Sequence, residues 1–410
     1  MILLAGQTFG PWNGPGVFSQ RLARGLVQCG HDVTFVVPAN CLRGANRTGS
    51  GGVHLETLPS FSLGGFYPDV HVTPNADRAI EKVFDRAQPD VVHVQDHHGV
   101  SRGVVRAALR RGIPVVATNH FLPGNLIPHV PLLSNFSLSR KLLDAILWHT
   151  VMDAFSGVQV VTTATDTAAL LMRQKLDRVP IRAISNGVEL TRFHSRSGMS
   201  VKATRFRFGL DSRQVLLLYL GRVDREKRLD LLIRALALAR RSDVQFAVAG
   251  RGRDTERLRD LAAALDLGHR VRFLGYVDDA ELPALLRSAD LFAMPSDVEI
   301  QSIATLEAMA SGLPVLAADA GALPELVDNG VNGFLFRPCD PQDASRRLLQ
   351  ILHARQRWPA MSEESSRRAG EHAIEQTISA YARLYEELLS GTIETRRSGS
   401  MARAQRPADS

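Results

Sequence analysis

Glu299 and Glu307 stand eight residues apart in Met294-Pro-Ser-Asp-Val-Glu-Ile-Gln-Ser-Ile-Ala-Thr-Leu-Glu-Ala-Met-Ala-Ser-Gly312. Asp290 to Met294 reads as a short buried strand. Ile303 to Ala310 carries helical periodicity that stops at Ser311-Gly312. One carboxylate therefore falls in a strand-to-helix loop and the other about a turn inside the helix. Ser302 is the expected N-cap, which leaves the following backbone N–H groups facing the loop. A helix N-terminus attracts phosphate, and carboxylates beside it accept hydrogen bonds from hydroxyls. Phosphate and hydroxyls on one ligand point to a nucleotide sugar.

Arg222 and Lys227 lie in Gly221-Arg-Val-Asp-Arg-Glu-Lys-Arg-Leu-Asp230, directly after the strand pattern Val215–Leu220. Two cations in a strand-to-helix turn can hold a diphosphate and stabilise it as it leaves. A solvated charged turn is the plainer alternative. The chain has only five lysines, however, so Lys227 is less readily read as decoration. Gly14 and Gly16 follow the first strand in Gly10-Pro-Trp-Asn-Gly-Pro-Gly16 and would let the backbone approach a ligand closely. Neither this loop nor Gly250-Arg-Gly252 completes a dinucleotide fingerprint, so hydride transfer is set aside. His120 directly follows the strand pattern Val115–Thr118 and is expected to reach a ligand. The apolar, proline-punctuated loop after it runs from Phe121 through Leu122 and Asn125 to Leu133. That loop either faces a lipid acceptor or packs on its own domain. His93, Asp96, His97 and His98 crowd together in sequence, but one lies inside a strand pattern, and a structural role is the favoured reading. No metal ion or other cofactor is expected.

These residues need elements to position them. In the first half, strand patterns at Ile2–Ala5, Val33–Val37, Val53–Leu58, Val91–Val94, Val115–Thr118 and Val158–Val161 alternate with helical patterns. The helical patterns are Val17–Gln28, Ala76–Ala87, Val100–Arg110 and Arg140–Phe155. A second series runs from Val215 to Ala317, with strands at Val215–Leu220, Val244–Ala249, Val271–Phe273, Leu291–Met294 and Val315–Ala317. Continuous β-branched runs separated by helices argue for parallel sheets. The expectation is two Rossmann-like α/β domains facing across a cleft, with ligands at the C-terminal ends of the strands. Residues 1–190 form the first domain and 191–373 the second, joined through Ile184–His194 and the polar Ser195–Ser200. A final helix over 374–390 is expected to cross back, and 391–410 is expected to be a disordered tail.

Composition narrows the class. At 410 residues, 45% hydrophobic and 22% charged, the chain is an ordinary soluble globular protein of two domains. No apolar run approaches a membrane span, and Met1-Ile-Leu-Leu-Ala-Gly6 is too short for a signal peptide. Cys29, Cys41 and Cys339 match no metal or disulfide spacing, so a reduced cytoplasm is the expected compartment. The net charge of +7 fits anionic ligands or an anionic membrane surface, and equally an arginine-rich proteome. Basic residues are not interleaved with aromatics, so nucleic acid is not an expected partner.

Gly221-Arg222 with Lys227, and Glu299-x7-Glu307-Ala-Met-Ala-Ser-Gly-Leu-Pro-Val315 through Gly321-Ala-Leu-Pro-Glu325, resemble the large retaining glycosyltransferase family 4, of the GT-B fold. Asn186-Gly-Val188, Gly30-His-Asp-Val33 and Gly14-Pro-Gly16 support the likeness, which covers about residues 1–390. The resemblance implies a nucleotide-sugar donor in the second domain, with Arg222 and Lys227 on its diphosphate. Glu299 and the amides of Ile300, Gln301, Ser302 and Ile303 would meet the sugar, and Glu307 the ribose. His120 would approach the sugar from the first domain, and Gly14 and Gly16 would lie near the phosphate or acceptor. It also implies retention without an enzymic nucleophile, the donor phosphate accepting the acceptor's proton. Many relatives carry Gly where Ser302 stands, so the room beside the donor is narrower here.

The activity expected is hexose transfer from a UDP- or GDP-sugar. The acceptor expected is a membrane glycerolipid, contacted by Phe121, Leu122 and Asn125 and reached from the cytosolic face. Arg106, Arg110, Arg111, Arg140 and Lys141 are the residues expected to dock on anionic lipid. A soluble glycan or natural-product acceptor, and a non-catalytic nucleotide-sugar binder, are the alternatives.

Overall fold

The computed structural model describes the chain except for residues 11–12, 40–46, 49–50, 63–70, 75, 122–136, 177–178, 195–198 and 394–410. Leu122, Asn125 and most of the expected tail lie outside the described residues. Apolar runs become strands with both faces covered, as parallel sheets require. The first ten are β1 (Ile2–Ala5), β2 (Val33–Ala39), β3 (Arg47–Thr48), β4 (His54–Pro59), β5 (Phe61–Ser62), β6 (His71–Val72), β7 (Val91–Val94), β8 (Val115–Thr118), β9 (Val160–Thr163) and β10 (Ile181–Ala183). Eight of them form one sheet in the order β10-β9-β8-β7-β1-β2-β4-β3, parallel except for β3, while β5 and β6 pair separately. The second series is β11 (Val215–Leu220), β12 (Val244–Ala249), β13 (Val271–Gly275), β14 (Leu291–Met294), β15 (Val315–Ala318) and β16 (Gly333–Phe336). They form a wholly parallel sheet in the order β13-β12-β11-β14-β15-β16. In both sheets the strand order reverses beside the first strand of the unit, the crevice where such sheets take ligands.

The two helices that matter most to the cleft are capped as their sequences dictate. Asn13 caps the Gly14–Gln28 helix by accepting from Gly16 N at 2.8 Å, with Pro15 in the first turn. The helix therefore starts three residues earlier than periodicity alone indicates. Ser302 caps the Ile303–Ala310 helix, accepting from Thr305 N at 3.2 Å. That helix ends at Ser311, followed by Gly312 with φ +77.

The last helix, Ile374–Leu389, lies on the first sheet rather than the second. Its Ile378, Tyr381, Leu384 and Leu388 share a core with Leu4, Phe18, Leu22 and Phe35. A buried polar chain runs beneath it. His93 Nδ1 lies 2.7 Å from the Tyr385 hydroxyl, and His93 Nε2 lies 2.6 Å from Thr118 Oγ1. The Tyr381 hydroxyl bonds Thr118 and Thr162. His93 is fully buried, and burial, helped by nearby His120, lowers its pKa from 6.5 to about 3.

The folded chain therefore keeps His93 neutral where the unfolded chain would protonate it. Its contribution is complete above pH 6.5 and is lost as pH falls from 6.5 toward about 3. The loss is about 1.4 kcal/mol per pH unit. Urea midpoints measured at about pH 7.5 and about pH 5.5 should fall for the wild type and fall distinctly less for His93→Gln. Equal falls would show that His93 does not titrate this way.

Candidate active site

A cleft of about 540 Å³ opens between the two units and is lined by both. Its floor is made by strand ends of the second sheet. Glu299 and Lys227 meet there, with Nζ 2.6 Å from Oε1 and both side chains largely buried. Arg222 lies beside them, donating to Asp224 Oδ2 and Glu226 Oε1 at 2.7 Å each. Its side chain is half exposed, whereas that of Glu226 is buried. The Tyr219 hydroxyl ties the turn by donating to Arg222 O at 2.6 Å.

Two glycines let neighbouring turns come close enough to build this floor. A Cβ on Gly250 (φ +143) would sit 1.8 Å from Gly221 O, so the Gly250-Arg-Gly252 turn serves packing under Arg222. A Cβ on Gly321 (φ +56) would sit 2.5 Å from Glu299 O, and Ala322 N donates to that same oxygen at 2.9 Å. The Gly321–Glu325 segment thus buttresses the loop that carries Glu299.

Glu307 is held differently. Arg21, from the Gly14–Gln28 helix of the first unit, donates from Nη2 to Glu307 Oε1 at 2.7 Å. Burial raises the Glu307 pKa against the pull of Arg21 and Arg192. Gln301 turns its side chain away to the linker, accepting from Asn186 N at 2.7 Å. Ile300 accepts from Thr165 Oγ1 at 2.9 Å through its backbone oxygen. Ile300 also packs with Ala164 and Ala168 of the first unit, and both Ile300 and Gln301 line the cleft.

From the first unit, Gly14, His120 and Phe121 line the cleft. Gly16 is buried one turn behind, its N–H spent on Asn13. His120 Nε2 lies 3.4 Å from Gln95 Oε1. Burial lowers the His120 pKa to about 4, so the ring is neutral near pH 7. Asp96 is already engaged by Gln7 N, His98 N and Ser101 Oγ. Among the described residues, no group of three His, Cys, Asp or Glu side chains could hold a metal ion.

Comparison with known proteins agrees with this geometry. Residues 12–192 match the family described as Glycosyltransferase Family 4, and residues 200–376 match Glycosyl transferases group 1. A D-inositol 3-phosphate glycosyltransferase from Salinispora tropica is 31% identical over 83% of this chain and 73% of its own length. The chain belongs to glycosyltransferase family 4. Sucrose-phosphate synthase from Thermosynechococcus elongatus shares its fold, with a TM-score of 0.75 at 19% identity over 95% of this chain and all of the other. Anabaena HepE in complex with UDP-glucose superposes with a TM-score of 0.73 at 21% identity, over 95% of this chain and 100% of its own. The architecture is GT-B.

The glycosyltransferase thus brings His120, Arg222, Lys227, Glu299, Ile300, Gln301, Ser302, Ile303, Glu307, Gly14 and Phe121 to one cleft. The docking arginines fare otherwise. Arg106, Arg110 and Arg111 pair with Asp77, Glu81 and Asp85 of the Ala76–Ala87 helix, so their charge is neutralised locally. Lys141 is exposed, and Arg140 lies in a helix at a position whose side chain is not described. Arg21 and Gln95 were not expected at the site. Arg21 falls on the same helical stripe as Phe18, Leu22 and Gly25, and a charge on a buried stripe was the available signal.

Gly321→Ala should displace the Glu299 loop and cut turnover at least about tenfold, with strain on the order of 1–3 kcal/mol. Steady-state kinetics together with thermal melting would check it. A variant as active as wild type would show that Glu299 tolerates a moved backbone.

Proposed function

We propose that this enzyme moves a hexose from a UDP- or GDP-sugar to an acceptor hydroxyl with retention of configuration. The observation that carries the reading is the convergence of Arg222, Lys227, Glu299 and His120 on one cleft beside the capped N-terminus of the Ile303–Ala310 helix. In this reading Arg222 and Lys227 take the diphosphate and stabilise its charge as the glycosidic bond breaks. Glu299 and the amides of Ile300 to Ile303 hold the sugar, and Glu307 accepts from the ribose. Neutral His120 hydrogen-bonds the sugar from the opposite domain. Likeness to a fold that holds UDP-glucose in HepE supports a nucleotide-sugar donor.

Retention is supported by how the cleft carboxylates are occupied. Glu299 is on Lys227, Glu307 on Arg21, Asp279 on Arg192, and Asp96 on backbone and Ser101. Same-face attack needs no enzymic nucleophile. The acceptor oxygen bonds to the anomeric carbon as the bond to phosphate breaks, and the acceptor proton passes to the departing phosphate oxygen.

For the acceptor, the reading is a membrane glycerolipid reached from the cytosolic face. The Ser137–Ala154 helix exposes Leu142 (62%) and Ile146 (53%) one turn apart, beside Lys141. Apolar residues flanked by a cation suit an anionic lipid surface. No described helix is long and apolar enough to cross a membrane. A soluble acceptor is the second reading, favoured by the Salinispora relative named for D-inositol 3-phosphate.

Release of nucleoside diphosphate from UDP-, GDP- and ADP-sugars, with and without anionic glycerolipid vesicles, tests both. Lys227→Ala and Glu299→Ala should each lose roughly 100- to 1,000-fold in turnover. Full activity in either variant would overturn the assigned roles, and donor binding without turnover in the wild type would make this a non-catalytic binder. Leu142→Glu with Ile146→Glu should reduce vesicle flotation and vesicle-stimulated release. Release indifferent to vesicles would move the acceptor to the soluble class.

A further inference from the structure

Arg21 stands out among the cleft residues because part of its guanidinium is unspent. The residue is about nine-tenths buried. Its Nη2 donates to Glu307 Oε1 at 2.7 Å, and its Nε lies 3.4 Å from Glu189 Oε2. Its Nη1 is buried without a hydrogen-bond partner, which native interiors seldom tolerate. Arg21 and Glu307 both line the cleft, and 286 residues separate them in sequence. One comes from each domain.

We propose that Arg21 completes the nucleotide subsite from the opposite domain, holding Glu307 through Nη2 and donating from Nη1 to the oxygen of the ribose hydroxyl that bonds Glu307. The proposal rests on reading Glu307 as the ribose partner. A ribose hydroxyl both donates and accepts. An ionised Glu307 can only accept and a guanidinium can only donate. Side by side, the two satisfy one hydroxyl completely. A deoxy nucleotide would leave Nη1 unpaired, whereas the ribonucleotide gives it a partner, so the pair selects for ribose by the hydrogen bond that the wrong ligand fails to make. Because the pair spans the domains, the nucleotide is gripped fully only when the cleft is closed.

Four charged groups bear on Glu307. Arg21 faces it from the first domain. Arg192 comes from the Leu190–His194 segment, Glu189 contacts Arg21, and Asp279 pairs with Arg192. Burial pushes the Glu307 pKa up and Arg21 opposes it. Without Arg21, Glu307 would take up its proton at higher pH, and nucleotide affinity would begin to fail at higher pH on the acid side.

The test is calorimetric binding of UDP, GDP or ADP, and of the 2′-deoxy and 3′-deoxy forms of whichever binds. Wild type, Arg21→Met, Arg21→Lys and Glu307→Gln would be compared, with thermal melting to confirm folding. Wild type should favour the ribonucleotide over one deoxy form by roughly tenfold or more. Arg21→Met should narrow that ratio to within about threefold and shift the acid limb of affinity to higher pH. Arg21→Lys keeps a cation beside Glu307 but loses the second arm of the fork. It should leave the acid limb in place and still lose the discrimination, an outcome a mere domain tie would not produce. Discrimination that survives in both Arg21 variants but falls in Glu307→Gln would overturn the proposal. Discrimination that survives in Glu307→Gln as well would overturn the ribose reading beneath it.

Discussion

Two carboxylates that bracket the start of one short helix, Glu299 and Glu307, are buried, and burial makes a cationic partner obligatory for each. The partners come from different places. Lys227 rises from the turn after β11 in the same domain, whereas Arg21 reaches across from the first domain. The loop before the helix is thus fixed against its own sheet, and the helix itself is fixed against the opposing one. Removing either cation would leave a desolvated charge, so sequence freedom at Arg21 and Lys227 is limited by electrostatics before any ligand is considered.

Further ties make the cleft a joint property of both domains. Thr165 donates to the Ile300 carbonyl, Asn186 N donates to Gln301, and Thr167 N donates to Glu325 on the segment that buttresses Glu299. The linker is pinned from the other side, since Val188 N donates to His372 O and Ile374 N donates to Val188 O. The chain then runs back as the Ile374–Leu389 helix and seals the first core. These bonds are mostly single and involve backbone, so each is cheap to break relative to a sheet. The two large hydrophobic cores stay essentially within their own domains, and a small cluster of Ala164, Ala168 and Ile300 crosses between them. That division suits two rigid bodies that shift about a hinge.

Much of this was legible from sequence where local chemistry speaks for itself. The strands Val215–Leu220, Val244–Ala249 and Leu291–Met294 form as periodicity indicates, because fully covered strands need unbroken apolar runs. The Ser302 cap and the cleft positions of Arg222, Lys227, Glu299 and Glu307 follow from loops at strand ends. Short or polar elements were missed. β10 has only three residues, β16 follows an Asn-Gly turn signal, and the Pro341–His353 and Trp358–Gly370 helices carry many exposed charges. Partnerships were the real gap. The Arg21–Glu307 pair and the neutralisation of Arg106, Arg110 and Arg111 by the Ala76–Ala87 helix depend on which helices lie side by side. Periodicity identifies a helix face without naming what it meets.

The charges on the floor of the cleft also say how a diphosphate would be received. Arg222 and Lys227 are caged by Asp224, Glu226 and Glu299, so two cations already face three carboxylates. In the proposed reading an arriving diphosphate would compete with these internal anions and would not enter a bare positive field. The exchange would be easiest at Arg222, whose side chain is half exposed. It is hardest at Glu226, which is buried and cannot follow into water. Lys227 sits between these extremes, within reach of Glu299 and of the cleft. In the proposed reaction, charge that develops on the leaving phosphate pulls Lys227 and Arg222 away from their resting partners as the bond breaks. The cations are then worth more in the transition state than in the ground state, which is the condition for catalysis by electrostatic stabilisation.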